Sequence, residues 1–232
     1  MSALTVGSLF SGIGGLDLGL ERAGMRTIWF CEIDPFCQKV LRKHWPGVSI
    51  YDDVRTIGAD SLVRPDVLAG GFPCQDVSTA GPKTGLDGGR SGLWREFARL
   101  IGELRPAYIL VENVPNLLNR GVGRVLGDLA EVGYDAEWDC IPAGLVGSPQ
   151  FRERLFVVAY PTGRGFARVL QPGDSIYGSA GPYRGQWANQ SRVGRVAYGV
   201  PGRVDRIRAL GNAVVPQVAE WIGRRIMEAD TA

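Results

Sequence analysis

The chain has 232 residues, 45% of them apolar, four cysteines, one histidine and a formal net charge of +2. That is enough for one sizeable core, in one domain or one domain with a small appendage. No apolar run approaches the roughly 18 residues of a membrane span, and Met1-Ser-Ala-Leu-Thr-Val lacks the basic start of a secretory signal. Cys31, Cys37, Cys74 and Cys140 form no Cys-x-x-Cys pair that could join His44 in a zinc site, so a cytosolic protein without metal, membrane contact or disulfide framework is expected.

Leu4–Leu9 reads as a short apolar strand leading into the glycine-rich turn Phe10-Ser-Gly-Ile-Gly-Gly15. Helical spacing starts at Leu16, Leu20 and Ala23, with Gly24 as C-cap. Thr27–Cys31 is a second strand, and Pro35 suits the first turn of a helix running to about Lys43. A short strand precedes Asp53, and Asp66–Ala69 is a clear strand ending in Gly70-Gly-Phe-Pro-Cys-Gln75. A helix over 92–104 follows, then the strand Tyr108–Val111 running into Glu112-Asn-Val-Pro115 and a helix over 122–132. Strands near Ala136–Ile141 and Arg154–Tyr160 close the series.

Such alternation argues for an α/β fold, a mainly parallel sheet with helices on both faces. In such sheets ligands bind beyond the carboxyl ends of the strands, and every motif named above lies just past one. The texture changes from Pro161 to about Gly202, where Gly, Pro, Ser, Arg and aromatics replace the periodic pattern, with short strands expected around Ser191–Ala197. Regular structure returns at Val204–Leu210, followed by a helix from about Ala213 to Met227. The expected organisation is a catalytic and cofactor-binding domain over 1–160, a small irregular segment over 161–202, and a C-terminal segment and helix over 203–232 that returns to the first domain.

Glycines between a first strand and first helix let a ligand approach the backbone, and the helix N-terminus favours a carboxylate or phosphate. Glu32, about 20 residues on, can accept hydrogen bonds from ribose hydroxyls. With Asp53 it suggests an adenosine-containing ligand. Cys74 lies past a strand end, after Gly-Gly and Pro and before polar Gln75-Asp76, which suits an exposed rigid loop and a nucleophile; a buried apolar role is the common alternative for a cysteine. Glu112, with Asn113, ends a strand at the same edge as a candidate acid. Period-two geometry puts Gln150, Arg152 and Arg154 on one face, aimed at anions or at Glu112. With one histidine, acid–base chemistry falls to carboxylates, water or arginine-held groups.

Charge is unevenly placed. Residues 1–160 hold 16 Lys+Arg and 19 Asp+Glu, whereas residues 161–232 hold 10 Arg, no Lys and 5 acids. A basic, arginine-only third suits contact with a polyanion, though GC-rich codon usage would also produce it.

In this order, the pieces resemble the DNA (cytosine-5)-methyltransferase family, and phage or prophage members most of all. The resemblance rests on Phe-x-Gly-x-Gly-Gly at Phe10–Gly15, Pro-Cys-Gln at Pro73–Gln75, Glu-Asn-Val at Glu112–Val114, Gln-x-Arg-x-Arg at Gln150–Arg154 and Gly-Asn-Ala-Val-x-Pro at Gly211–Pro216. It implies a Rossmann-like S-adenosylmethionine-dependent methyltransferase fold that moves a methyl group to carbon 5 of cytosine in double-stranded DNA, with no metal, in a restriction-modification or phage setting. Cys74 would be the nucleophile, with Gln75 beside it. Glu112 would bind or protonate ring nitrogen 3, with Asn113 next to it. Arg152 would steady the adduct, and Arg154 would belong to the same catalytic set. Phe10, Ser11, Gly12, Ile13, Gly14 and Gly15 would shape the S-adenosylmethionine pocket, Glu32 would hold the ribose, and Ile33 would lie against the adenine. Asp53 and Val54 would sit at the adenine edge, Pro73 and Leu93 would join the pocket, and Asn212 with Ala213 would bring the C-terminal helix back to close it.

Two departures from the family pattern stand out. Only about 50 residues, Pro161 to Leu210, separate the last two motifs, where the family has a long target-recognition region, and its Arg-rich supporting motif is represented only in part, by Arg203–Arg208. Gln150, Arg164, Arg168, Tyr183, Arg184, Trp187, Arg192 and Arg195 are the candidates for DNA contact. So small a region implies a target of about two to four base pairs or relaxed specificity, in a monomer, or else a partner chain that supplies recognition. An RNA cytosine-5 methyltransferase and a catalytically silent binding module are the competing readings.

Overall fold

The computed structural model describes residues 3–73, 92–148, 152–163, 169–170 and 203–231. Cys74, Gln75, Gln150, Arg164, Arg168, Tyr183, Arg184, Trp187, Arg192, Arg195 and the strands expected around 191–197 lie outside the described residues.

Seven strands form one sheet: β1 (Thr5–Leu9), β2 (Arg26–Cys31), β3 (Ser49–Tyr51), β4 (Val67–Gly70), β5 (Tyr108–Asn113), β6 (Tyr134–Pro142) and β7 (Glu153–Pro161). Their order is β3-β2-β1-β4-β5-β7-β6. β1 lies parallel to β2 and β4, and β4 to β5, so the carboxyl ends of these strands share one edge. β7 is the exception to the parallel arrangement, running antiparallel to both β5 and β6. The connection from β6 to β7 runs only from 143 to 152, with a 3-10 turn over Ala143–Val146 among its described residues, too short for the crossover that a parallel neighbour requires.

Helices cover both faces. The apolar sides of α3 (Gly92–Leu104), α4 (Leu117–Arg120) and α5 (Val122–Glu131) meet one face around Trp94, Phe97, Leu117 and Leu129. On the other face, α1 (Gly15–Arg22) and α7 (Pro216–Thr231) pack through Leu16, Leu20, Val218 and Ile222. α2 (Pro35–His44) starts as the sequence suggests, with the Asp34 side chain accepting from the amides of Phe36 and Cys37 before Pro35. Its C-terminal neighbour Trp45 meets Phe30 edge-on and donates its indole N–H to Glu21 of α1.

The C-terminal helix α7 packs on α1. α1 and α7 touch backbone to side chain at Gly19, where a Cβ would lie 2.3 Å from the Pro216 carbonyl oxygen and 2.4 Å from the Ala219 Cβ. Residues 203–212 form the helix α6 (Arg203–Asn212), and α7 begins at Pro216 rather than Ala213, as proline's fixed φ and missing N–H favour at a helix start. α1 is capped at Ala23, one residue before the Gly24 of the sequence reading, and Gly24 follows at φ +101°. The packed core also includes residues past 160. Val169 and Leu170 are buried, their amides donate to the Glu137 carboxylate, and the Val169 carbonyl accepts from Arg225 of α7.

Candidate active site

Beyond the shared strand edge opens a cavity of about 550 Å³, lined from the turns after β1, β2, β3, β4 and β5 and from the α6–α7 junction. The turn after β1 bends sharply at Phe10, which has a φ of +54° and stacks its ring on Phe97 at 6.4 Å. This bend turns the Gly12 amide toward the Glu32 carboxylate, which accepts it at 2.7 Å and the Asp34 amide at 2.8 Å. Each Glu32 oxygen keeps lone-pair capacity for a ligand hydroxyl. Gln38 braces the same corner, donating to the Glu32 carbonyl and to Asp52. Ile33 is 67% exposed and offers the cavity an apolar wall.

Across the cavity, Glu112 ends β5 almost buried, with Arg154 Nε 3.0 Å from its Oε1. Burial pushes this carboxyl up to about 7, against the pull of the Arg154 and Arg152 guanidinium groups. Glu112 leans over the loop that leads to Cys74: a Cβ at Gly71 would lie 2.6 Å from its Oε2, so a side chain at 71 would push the carboxylate aside. Asn113 holds the next residue, donating to the Phe72 carbonyl at 3.1 Å while its own oxygen accepts the Val114 amide. The residues just before Cys74 are thus pinned beside the acid, with Pro73 exposed at the cavity wall. The other cysteines are not prepared for chemistry. Burial pushes the Cys31 and Cys37 thiols up to about 12 and raises Cys140 as well, which leaves them protonated at neutral pH.

Most of the expected cofactor residues line this one cavity: Phe10, Ser11, Gly12, Ile13, Gly15, Glu32, Ile33, Asp53, Val54, Pro73, Leu93, Asn212 and Ala213. Gly14 is the N-cap of α1 and is buried against Trp45. Two side chains have partners that the sequence reading did not name. Asp53 turns to Arg55 in an ion pair of 2.6 Å, which holds its carboxyl below the usual range. Arg152 does not reach for Glu112 but donates to the carbonyls of Gly211 at 2.7 Å and Ala213 at 2.8 Å. It precedes β7 by one residue, and burial lowers its affinity for protons.

The cavity also contains residues that sequence reasoning passed over. Asp17 of α1 is fully buried and Ser8 of β1 nearly so, both in its wall. Arg208 of α6 meets Asp34 in an ion pair of 2.5 Å at its rim. An acid on the apolar side of α1, between Leu16 and Leu20, was the available signal for Asp17. Arg208 entered the sequence reading only as the end of the Arg203–Arg208 stretch, and nothing there signalled this contact, because its partner lies 174 residues away. Among the described residues, no cluster of His, Cys, Asp and Glu could hold a metal ion, and no helix is long and apolar enough to cross a membrane.

Over 164 residues the chain is 44% identical to the Type II methyltransferase M2.BsuMI of Bacillus subtilis, covering 67% of this chain and 42% of that protein. It is 34% identical over 180 residues to the Type II methyltransferase M.AquIA of a Picosynechococcus species, covering 68% and 73%. The chain thus spans less than half the length of the first of these relatives. A solved structure described as a DNA modification methyltransferase encoded within an E. coli prophage superposes with a TM-score of 0.60 at 28% identity, over 72% of this chain and 49% of that one. Residues 4–172 match the C-5 cytosine-specific DNA methylase family, and the chain belongs to that family.

Proposed function

We propose that this chain methylates carbon 5 of cytosine in double-stranded DNA, taking the methyl group from S-adenosylmethionine and using Cys74 as nucleophile. The observation that carries this reading is Glu112: a buried carboxyl, poised near neutrality and held by Arg154 beside the root of the Cys74 loop.

The cavity fits the cofactor. Its volume of about 550 Å³ lies within the usual range for an organic ligand. Glu32 offers acceptor capacity for ribose hydroxyls, Ile33 and Val54 offer apolar surface for adenine, and the backbone of the glycine turn and of Asn212–Ala213 lies against the remainder. S-adenosylmethionine would supply an electrophilic methyl group there.

The chain's own residues would do the rest. Carbon 5 of cytosine is a poor nucleophile until the Cys74 thiolate adds to carbon 6 and shifts electron density to carbon 5. Glu112 would share its proton with ring nitrogen 3, removing charge from the adduct as it forms. Arg154 would fix the orientation of that carboxyl, while Asn113 holds Phe72, two residues before Cys74. Loss of the carbon 5 proton to water then expels the thiolate. Stacked cytosine cannot reach such a site, so the base must flip out of the duplex. The arginine-rich residues after 160 would contact DNA, and their small number favours a target of about two to four base pairs.

The test is transfer of labelled methyl from S-adenosylmethionine to mixed-sequence duplex DNA, with base-resolution mapping, for wild type and Cys74→Ala. Label on cytosine carbon 5 that vanishes in the variant is expected. Label on transfer RNA but not DNA, or label retained by Cys74→Ala, would overturn the reading.

A further inference from the structure

The cavity wall assigned to adenine is built from chain with little regular structure of its own. Between β3 and β4 there is only one 3-10 turn, Val54–Thr56, and Asp53 and Val54 of this stretch line the cavity. So short a turn leaves its carbonyls without helical partners. Arg99 of α3 supplies them: its Nη2 donates to the Val54 carbonyl at 3.0 Å and to the Ile57 carbonyl at 2.9 Å. Two carboxylates of the same helix aim the guanidinium, which donates through Nε to Glu96 and through Nη1 to Glu103, both at 2.8 Å. Glu103 also accepts the Ala59 amide with its other oxygen at 3.1 Å. The support beneath this network is firm, because Trp94, Phe97, Leu100 and Ile101 of α3 are buried in the core. Phe97 also stacks on Phe10 of the glycine turn, so one helix sets the placing of two cavity walls.

We infer that Arg99 is a positioning residue: by holding the Val54–Ile57 backbone it fixes the polar edge at which the pocket tells adenine from another purine. This assignment rests on the reading of the cavity as an S-adenosylmethionine site. A pocket rejects the wrong base only when that base leaves a fixed polar group unpaired, so the edge must stay in place. The other cavity residues cannot supply this choice. Ile33 offers apolar contact and Glu32 offers acceptors for ribose, and adenine and hypoxanthine nucleosides share both their shape and their sugar. The Asp53 side chain is committed to Arg55, which leaves the backbone of the stretch as the edge to be held. Arginine suits the task, because its planar fork serves four partners at once, whereas a lysine ammonium has three donors.

The test is calorimetric binding of S-adenosylhomocysteine and of its analogue with hypoxanthine in place of adenine. Wild type should prefer the adenine ligand about tenfold or more. Arg99→Met, which keeps the length of the side chain and removes its donors, should bind the adenine ligand about tenfold more weakly and the hypoxanthine ligand about as before. The preference should therefore shrink to about twofold or less. Arg99→Lys keeps the charge between Glu96 and Glu103 but cannot serve all four partners; it should lose part of the preference and guards against a Met variant that fails to fold. Equal weakening of both ligands would mean that Arg99 merely supports the fold. Unchanged binding of both, or a wild type that binds both alike, would mean that this edge does not read the base. Any of these three outcomes overturns the inference alone. If wild type binds neither ligand, the cofactor reading itself falls.

Discussion

Glu112 and Arg154 meet across two antiparallel strands, with Arg154 Nε 3.0 Å from Glu112 Oε1 and both side chains largely shielded from water. The register explains the meeting. Glu112 of β5 is paired with Phe156 of β7, and Arg154 lies two residues away on the same face. Despite this partner, burial keeps the carboxyl near 7 rather than below the usual carboxylate range, so its proton is exchangeable at working pH.

That sets a pH dependence. The carboxyl is raised in the folded state, so its contribution to stability is complete at low pH and is lost as pH rises through about 7. Methyl transfer that needs the protonated form should fall on the alkaline side of the same value. Glu112→Gln, which cannot titrate, should flatten this step in denaturation midpoints measured from pH 5 to 8.5 and should lower kcat about a hundredfold or more. A wild-type rate that keeps rising from pH 7 to 9 would contradict this.

Gly71→Ala should disable the site while leaving cofactor binding intact. Its Cβ would lie 2.6 Å from Glu112 Oε2, against a carboxylate held from behind by Arg154, so the acid or the Cys74 loop must shift. Loss of about tenfold or more in kcat, with cofactor Kd unchanged, is expected. Stopped-flow turnover and calorimetry separate the two.

Arg152 and Arg154, two positions apart in sequence, should fail differently. Arg152 holds the Gly211 and Ala213 carbonyls at the edge of the cavity, so Arg152→Ala should raise cofactor Kd several-fold, about 1–2 kcal/mol for the two bonds. Arg154→Met should leave that Kd alone and shift the alkaline limb of the rate profile upward, because Glu112 loses its nearest positive charge. Identical effects from both variants would refute the assignment.

Glu137 accepts the amides of Val169 at 2.6 Å and Leu170 at 2.9 Å and so fastens the chain after β7 to β6. Glu137→Ala should cost about 1–3 kcal/mol, read as a lower midpoint in urea denaturation. Methyl transfer at 25 °C, per folded molecule, should change far less.

Much of the site was legible along the chain because strand ends announce themselves. Glu32, the Gly70–Pro73 loop and Glu112 each follow an apolar run, and in a parallel sheet those ends converge on one edge. The glycine turn, the Asp34–Pro35 helix start and α3 were readable for the same local reason: capping, φ preference and side-chain period act over a few residues. Other features could not be read locally. The reversed direction of β7 depended on how the β6 connection packs. The turning of Arg152 to the backbone of 211–213 and the meeting of Arg208 with Asp34 both depend on residues brought together from distant parts of the chain. The sequence by itself determined the elements, their order and the edge where chemistry collects. The tertiary structure decided which charges are buried and which partner each one finds, because desolvation and hydrogen-bond geometry exist only once the segments have packed.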